Sequence, residues 1–127
     1  MAHNLNRMFA ELSGLDFEKG LDVFEGDMDD YIAALQSFVK NTPAAIDKLR
    51  GFITEENLPE YAINIHGLKS VSAWVCARNI QEGAAELDTL AKAGDFSAIA
   101  AKNGKFLDDT DAFVNELKTL LENYSEG

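Results

Sequence analysis

The chain reads as all-α, an antiparallel four-helix bundle with short additional N-terminal helical segments. Apolar residues recur at helical spacing along most of its length. Capping residues stand just ahead of several of these runs, and the last run is long enough to be the final arm of such a bundle.

In chain order, the segment from Leu5 to Leu12 forms a first short helix. After the Ser13-Gly14 break, Asp16 caps a second short piece leading to Phe24. Asp27 then caps a longer helix in which Tyr31, Leu35, Phe38 and Val39 fall at i, i+4, i+7 and i+8. Pro43 is expected to bend or restart it before Ile46 and Leu49. Asn57-Leu58-Pro59-Glu60 combines an Asn cap, a first-turn proline and a glutamate at the third helical position, so a new helix starts there. It should end near Cys76. The next, with Ile80, Ala84, Leu87 and Leu90, should end at Gly94. Asp95 caps the last, whose apolar set includes Ile99, Phe106, Phe113, Leu117 and Leu120.

With 127 residues, 46% of them hydrophobic, the chain is long enough for one domain with one core and too short for two. Residues 1–26 are expected to be cover segments and residues 27–123 the bundle. The opening Met1-Ala2-His3-Asn4-Leu5-Asn6-Arg7 lacks the apolar run of a signal peptide, and no stretch approaches the ~20 apolar residues of a membrane span. A cytoplasmic location is expected, and the lone cysteine suits a reducing compartment. Acidic residues number 22 against 11 basic, a formal charge of −11 that repels polyphosphate backbones and anionic membranes. Neither nucleic acid nor a membrane is therefore an expected partner.

The most informative stretch is Asn64-Ile65-His66-Gly67-Leu68-Lys69-Ser70-Val71-Ser72-Ala73. Tyr61, Ile65, Leu68, Ser72 and Val75 follow 4, 3, 4, 3 spacing, so they share the buried side of one helix. His66 is rotated off that side, among the mostly small residues Ala62, Ile63, Lys69, Ser70 and Ala73. An imidazole there stands proud of its neighbours and unpaired, within reach of another protein. Lys69, one turn on, is placed to neutralise an anion attached to the ring.

Three roles can be weighed for such a ring. A metal site needs several ligands, and no His, Cys or carboxylate pair stands at ligand spacing around His66. A base that activates a nucleophile needs a Ser or Cys and an orienting carboxylate, and nothing local supplies them, though a spatial triad stays open. Favoured is the imidazole as nucleophile itself: a neutral ring nitrogen attacks phosphorus and holds the phosphoryl group while Lys69 balances its charge.

Other features carry blander readings. The Phe-rich stripes are core, and Cys76 is a small packing residue. The acidic runs Asp27 to Asp30 and Asp108 to Asp111 are helix starts and solvated faces without the ligand periodicity of a calcium loop. His3 lies near a terminus and is assigned no role. Ile63 and Trp74 project to the side of His66 away from the core, either beneath the N-terminal helices or on a docking surface.

His66, Leu68 and Lys69, followed by small residues and then Ala77, Leu87 and Asp88, resemble the signature of histidine-containing phosphotransfer domains, the relay modules of multistep two-component signalling. Phe24-Glu25-Gly26-Asp27 with Tyr31, Leu35 and Phe38 looks like that family's acidic turn entering its first long helix. Ala91-Lys92-Ala93-Gly94-Asp95, Asn103, Phe106 and Leu107 look like its last hairpin. Two positions depart from the pattern: Ser70 and Cys76 stand where glycines are usual, four and ten residues after the histidine. The resemblance implies that His66 accepts the phosphoryl group, that Lys69 stabilises its charge, and that Ile63, Ser70, Ala73 and Trp74 lie on the partner-binding face. It further implies a monomer that serves receiver domains and a hybrid sensor kinase, turns over no small molecule, and needs no cofactor, the magnesium ion belonging to the receiver. A module that binds a receiver or kinase without being phosphorylated is the alternative. A hydrolase using His66 as general base is a third possibility, for which no second catalytic group is visible.

Overall fold

The structure, a computed structural model, describes the backbone of residues 2–126 and the side chains of residues 7–124. Six helices account for nearly all of it: α1 (Ala2–Glu11), α2 (Phe17–Val23), α3 (Met28–Gly51), α4 (Leu58–Trp74), α5 (Arg78–Lys92) and α6 (Phe96–Glu126). Among the described residues there is no strand, only an isolated bridge between Leu15 and Ala77. Helix α3 packs on α4 and α6, and α5 packs on the same two, while α1 lies on α6 and α2 on α3.

Local chemistry accounts for most of the boundaries. The carboxylates of Asp16, Asp27 and Asp95 accept hydrogen bonds from the backbone N–H groups of Lys19, Asp30 and Ala98, capping α2, α3 and α6 as their spacing predicts. Asn57 behaves differently. It precedes α4, but its side chain makes no cap bond. Its own N–H is already donated to the Thr54 carbonyl and hydroxyl, so Glu60 finds no free donor and the expected reciprocal cap does not form. Helix α3 runs on through Pro43 without restarting. The missing N–H leaves the Val39 carbonyl without its helical donor, a cost of ~3 kcal/mol. Burial of Phe38, Val39, Thr42, Ile46 and Leu49 on either side offsets this, at roughly 1.5–3 kcal/mol for each large apolar side chain, and Pro43 itself faces solvent.

Helices α2, α4 and α5 end in the same way. The residue after each C-cap (Glu25, Cys76 and Gly94) has φ of 56°, 61° and 70°, and donates its N–H to Asp22, Ala73 and Ala91. The residue beyond it closes a wider loop onto Leu21, Ser72 and Leu90. Cys76 thus occupies a left-handed position that glycine would take without strain, and it is buried there as a packing residue. Burial pushes its thiol pKa up, with the Asp16 carboxylate adding to the effect and Lys19 opposing it.

Helix α4 is held at both ends. Buried Tyr61 donates its hydroxyl to Asn103 Oδ1 on α6 at 2.8 Å, and Asn103 Nδ2 donates to the Leu49 carbonyl of α3 at 3.2 Å. At the other end Tyr31 of α3 donates to the Val75 carbonyl at 2.8 Å. The connection after α1 lies against the same turn, Asp16 N–H donating to the Cys76 carbonyl at 2.9 Å and Asn79 N–H to the Gly14 carbonyl at 3.3 Å. The closest approach to a glycine among the described residues is at Gly20, where a Cβ would stand 2.1 Å from Cζ of Tyr31.

Candidate functional site

The inward stripe of α4 is buried as its spacing predicts: Tyr61, Ile65, Leu68, Ser72 and Val75 all lie inside. Packing of that stripe against α3 and α5 fixes the rotation of the helix, and the same rotation turns His66 outward with 57% of its side chain exposed. Gly67 beside it faces open space.

Outward does not mean unpaired. Nδ1 of His66 lies 3.3 Å from Oδ2 of Asp88 on α5, a side chain only 2% exposed. Asp88 sits in the seam between α4 and α5, flanked on its own helix by buried Ala84, Leu87 and Ala91. Two ammonium groups reach the same oxygen, Lys69 of α4 at 3.4 Å and Lys92 of α5 at 3.1 Å. Burial by itself would raise the pKa of Asp88; Lys92, His66 and Lys69 together outweigh that and hold the carboxyl below its ordinary range. A carboxylate of this kind is ionised at neutral pH.

That charge state decides the tautomer. An ionised carboxylate only accepts, so the ring nitrogen facing it must carry the proton. In the neutral ring Nε2 then holds the lone pair, and it has no hydrogen-bond partner among the described residues. That tautomer has its nucleophilic nitrogen free and its other nitrogen fixed from behind. Two cations sit beside it, on a chain whose net charge is −11. Among the described residues no serine or cysteine hydrogen-bonds to the ring, and the Ser70 hydroxyl donates instead to the His66 backbone carbonyl at 3.1 Å. Among the described residues no group of three or more His, Cys, Asp or Glu side chains is placed to hold a metal ion.

The remaining residues singled out from sequence surround this centre. Ile63 and Trp74 are 68% and 51% exposed, so the N-terminal helices do not cover them, although the Trp74 ring lies 5.3 Å from that of Phe24. A groove of about 230 Å³ runs between α3 and α4, with Ile63, Gly67, Val71 and Trp74 along its α4 wall and Phe38 and Thr42 opposite; His66 does not line it. Ser70 is exposed and Ala73 half-buried. The side chain of His3 lies outside the described residues.

Sequence reasoning misjudged His66 as unpaired and gave no role to Asp88 or Lys92. The contact of Asp88 with His66 spans 22 residues and two helices, beyond any local pattern, and Lys92 joins the site only through Asp88. One signal was nevertheless present. With Ala84, Leu87 and Ala91, Asp88 falls on the core face of α5, and an acid at a core position needs cationic partners.

No protein-family model matches this chain, and neither a curated protein nor a solved structure with significant similarity to it was found.

Proposed function

We propose that this chain is a phosphorelay intermediate of the histidine-containing phosphotransfer type. It takes a phosphoryl group on His66 from an aspartyl phosphate of a receiver domain or hybrid sensor kinase and passes it to another receiver. The observation that carries this is the pairing of an outward imidazole with a buried, ionised Asp88 at Nδ1, which leaves Nε2 free with Lys69 close by.

In the transfer, the Nε2 lone pair forms the N–P bond as the acyl O–P bond breaks, and that electron pair leaves on the donor's carboxylate. The Nδ1 proton stays on the ring. Imidazole gains positive character as the bond forms, so its hydrogen bond to Asp88 strengthens in the transition state. The phosphoryl oxygens bring two negative charges to the mouth of the site, where Lys69 is the nearest cation on α4. Transfer onward is the reverse at a second receiver, and the magnesium ion expected from the resemblance belongs to that partner. No small molecule is turned over.

The fold is consistent with this reading. Helices α3 to α6, each packed on two of the others, correspond to the four helices of an antiparallel bundle, with α1 and α2 as N-terminal cover. Cys76 keeps the left-handed turn where the family usually has glycine, so the end of α4 closes as those of α2 and α5 do despite that departure. Ser70 is small and tied back to its own helix, which keeps the approach to His66 open. The groove with exposed Ile63 and Trp74 is the face a receiver would cover. A monomer in the cytoplasm completes the proposal.

The deciding experiment is transfer from a labelled phospho-receiver to the wild-type chain and to His66→Gln. The expected product is an acid-labile, alkali-stable label on the wild type and none on the variant. Binding of several receivers without label would replace the relay by an adaptor that docks without being phosphorylated.

A further inference from the structure

We propose that Lys92 is a positioning residue for this transfer: it keeps Asp88 paired while Lys69 leaves Asp88 for the phosphoryl group. The inference rests on the relay reading.

Three groups converge on one atom, Oδ2 of Asp88: Lys92 Nζ at 3.1 Å, His66 Nδ1 at 3.3 Å and Lys69 Nζ at 3.4 Å. His66 and Lys69 hydrogen-bond to this oxygen and Lys92 forms an ion pair with it, so three groups crowd one atom and the contact of greatest length is the easiest to give up. The longest is Lys69. Its place on the chain suits departure, because it lies one turn from His66 on α4 and its flexible stem can swing toward Nε2. Lys92 is placed to stay. It lies four residues from Asp88 on the same helix, α5, so helical geometry keeps the two together whatever happens on α4.

The charges favour the exchange. Before transfer, Asp88 is buried with two ammonium groups and the imidazole ring around it. After transfer the ring carries positive character at Nδ1 and two negative charges beyond Nε2. Asp88 then faces a stronger partner in the ring and no longer needs both lysines, whereas the phosphoryl group has gained a need for one. Without Lys92, release of Lys69 would leave a carboxylate that is 2% exposed with only the imidazole for company, so Lys69 would be retained and phosphoryl stabilisation lost. Lys92, 66% exposed, thus acts on the phosphate through Asp88 and Lys69 without touching it.

The test uses phosphoramidate, a small phosphoryl donor that removes partner docking from the measurement, with the full chain and the variants Lys92→Gln, Lys92→Arg, Lys69→Gln and Lys69→Gln/Lys92→Gln. Lys92→Gln should slow His66 phosphorylation on the order of fivefold, the rate equivalent of one partly buried ion pair. Lys92→Arg should restore it. In the Lys69→Gln background the further loss from Lys92→Gln should fall below about twofold, since there is no lysine left to release. A merely structural lysine would give the same loss in both backgrounds, and that additivity, or an unchanged rate in Lys92→Gln, overturns the hand-off. Nitrogen chemical shifts of His66 give a second readout: the Nδ1–H tautomer should persist in Lys92→Gln before phosphorylation, because Lys69 remains on Asp88, and loss of that tautomer would instead make Lys92 a partner of the ring pair alone. If the wild type takes label from neither phosphoramidate nor any phospho-receiver, the relay reading itself has failed and the hand-off falls with it.

Discussion

Asp88 and Asn103 are buried to almost the same degree, 2% and 3% exposed, yet they do opposite things. Asn103 belongs to a closed, neutral network: it accepts from Tyr61 and donates to the Leu49 carbonyl, joining α4, α6 and α3 with all three groups inside. Asp88 belongs to an open, charged one, its partners His66, Lys69 and Lys92 being 57%, 37% and 66% exposed. A neutral hydrogen-bonded group in the interior holds helices together and has nothing left to offer. A buried charge whose partners reach solvent passes its field to the surface, where an imidazole can use it. Both contacts involve α4, one through its inward residue Tyr61 and the other through outward His66.

The largest expected effect lies on the open side. His66→Gln should abolish transfer and leave the fold intact, because the ring is outside the core. Asp88→Asn should slow phosphorylation of His66 by roughly 10- to 100-fold, the range seen when the oriented partner of a working imidazole is changed. It should also raise the fraction of ring protonated on Nε2, measurable by nitrogen chemical shifts. A rate within twofold of wild type would reduce Asp88 to the role Asn103 has.

On the closed side, Asn103→Leu should cost roughly 2–4 kcal/mol in denaturant unfolding, since the Tyr61 hydroxyl and the Leu49 carbonyl are both left buried without partners. The phosphotransfer rate of the folded fraction should not change. A slowed rate would show that the two networks are coupled through α4.

The two side chains should also separate in acid. Asp88 has a folded pKa below the ordinary 3.8. Between the folded and unfolded values the unfolded chain binds the extra proton, so stability rises with pH in that window. The contribution of Asp88 is therefore complete above about pH 4 and is lost as pH falls through the folded value. Asp88→Asn should flatten that part of the acid unfolding curve, and Asn103→Leu should only lower it; equal slopes in wild type and Asp88→Asn would show that the charge does not stabilise the fold.

The smallest effect concerns Gly67, a mid-helix glycine next to His66 with open space around it. Gly67→Ala should stabilise the protein by about 0.5–1 kcal/mol, the ordinary helix-propensity gain at an unpacked position. A loss instead would show that this side of α4 is more tightly packed than its exposure suggests.

Much of this arrangement is legible in the chain itself. Capping aspartates at 16, 27 and 95, the 4, 3, 4, 3 stripe of α4 and the glycine that ends α5 are local signals, set by hydrogen bonds and side-chain directions within one or two turns. They sufficed to predict an all-helical chain, to place the starts of α2, α3, α4 and α6, and to turn His66 outward. One failure was also local: Asn57 makes no side-chain cap bond, and its N–H, already donated to Thr54, is not free for Glu60. Helix α3 runs on through Pro43, where burial on both sides offsets one lost hydrogen bond. What tertiary structure alone decided is the chemistry of the imidazole. The packing of α4 on α5 brings an acid 22 residues away to Nδ1, along with a second lysine, and so settles which nitrogen is free. Helix periodicity says which way a side chain points. Only the facing helix says what it meets.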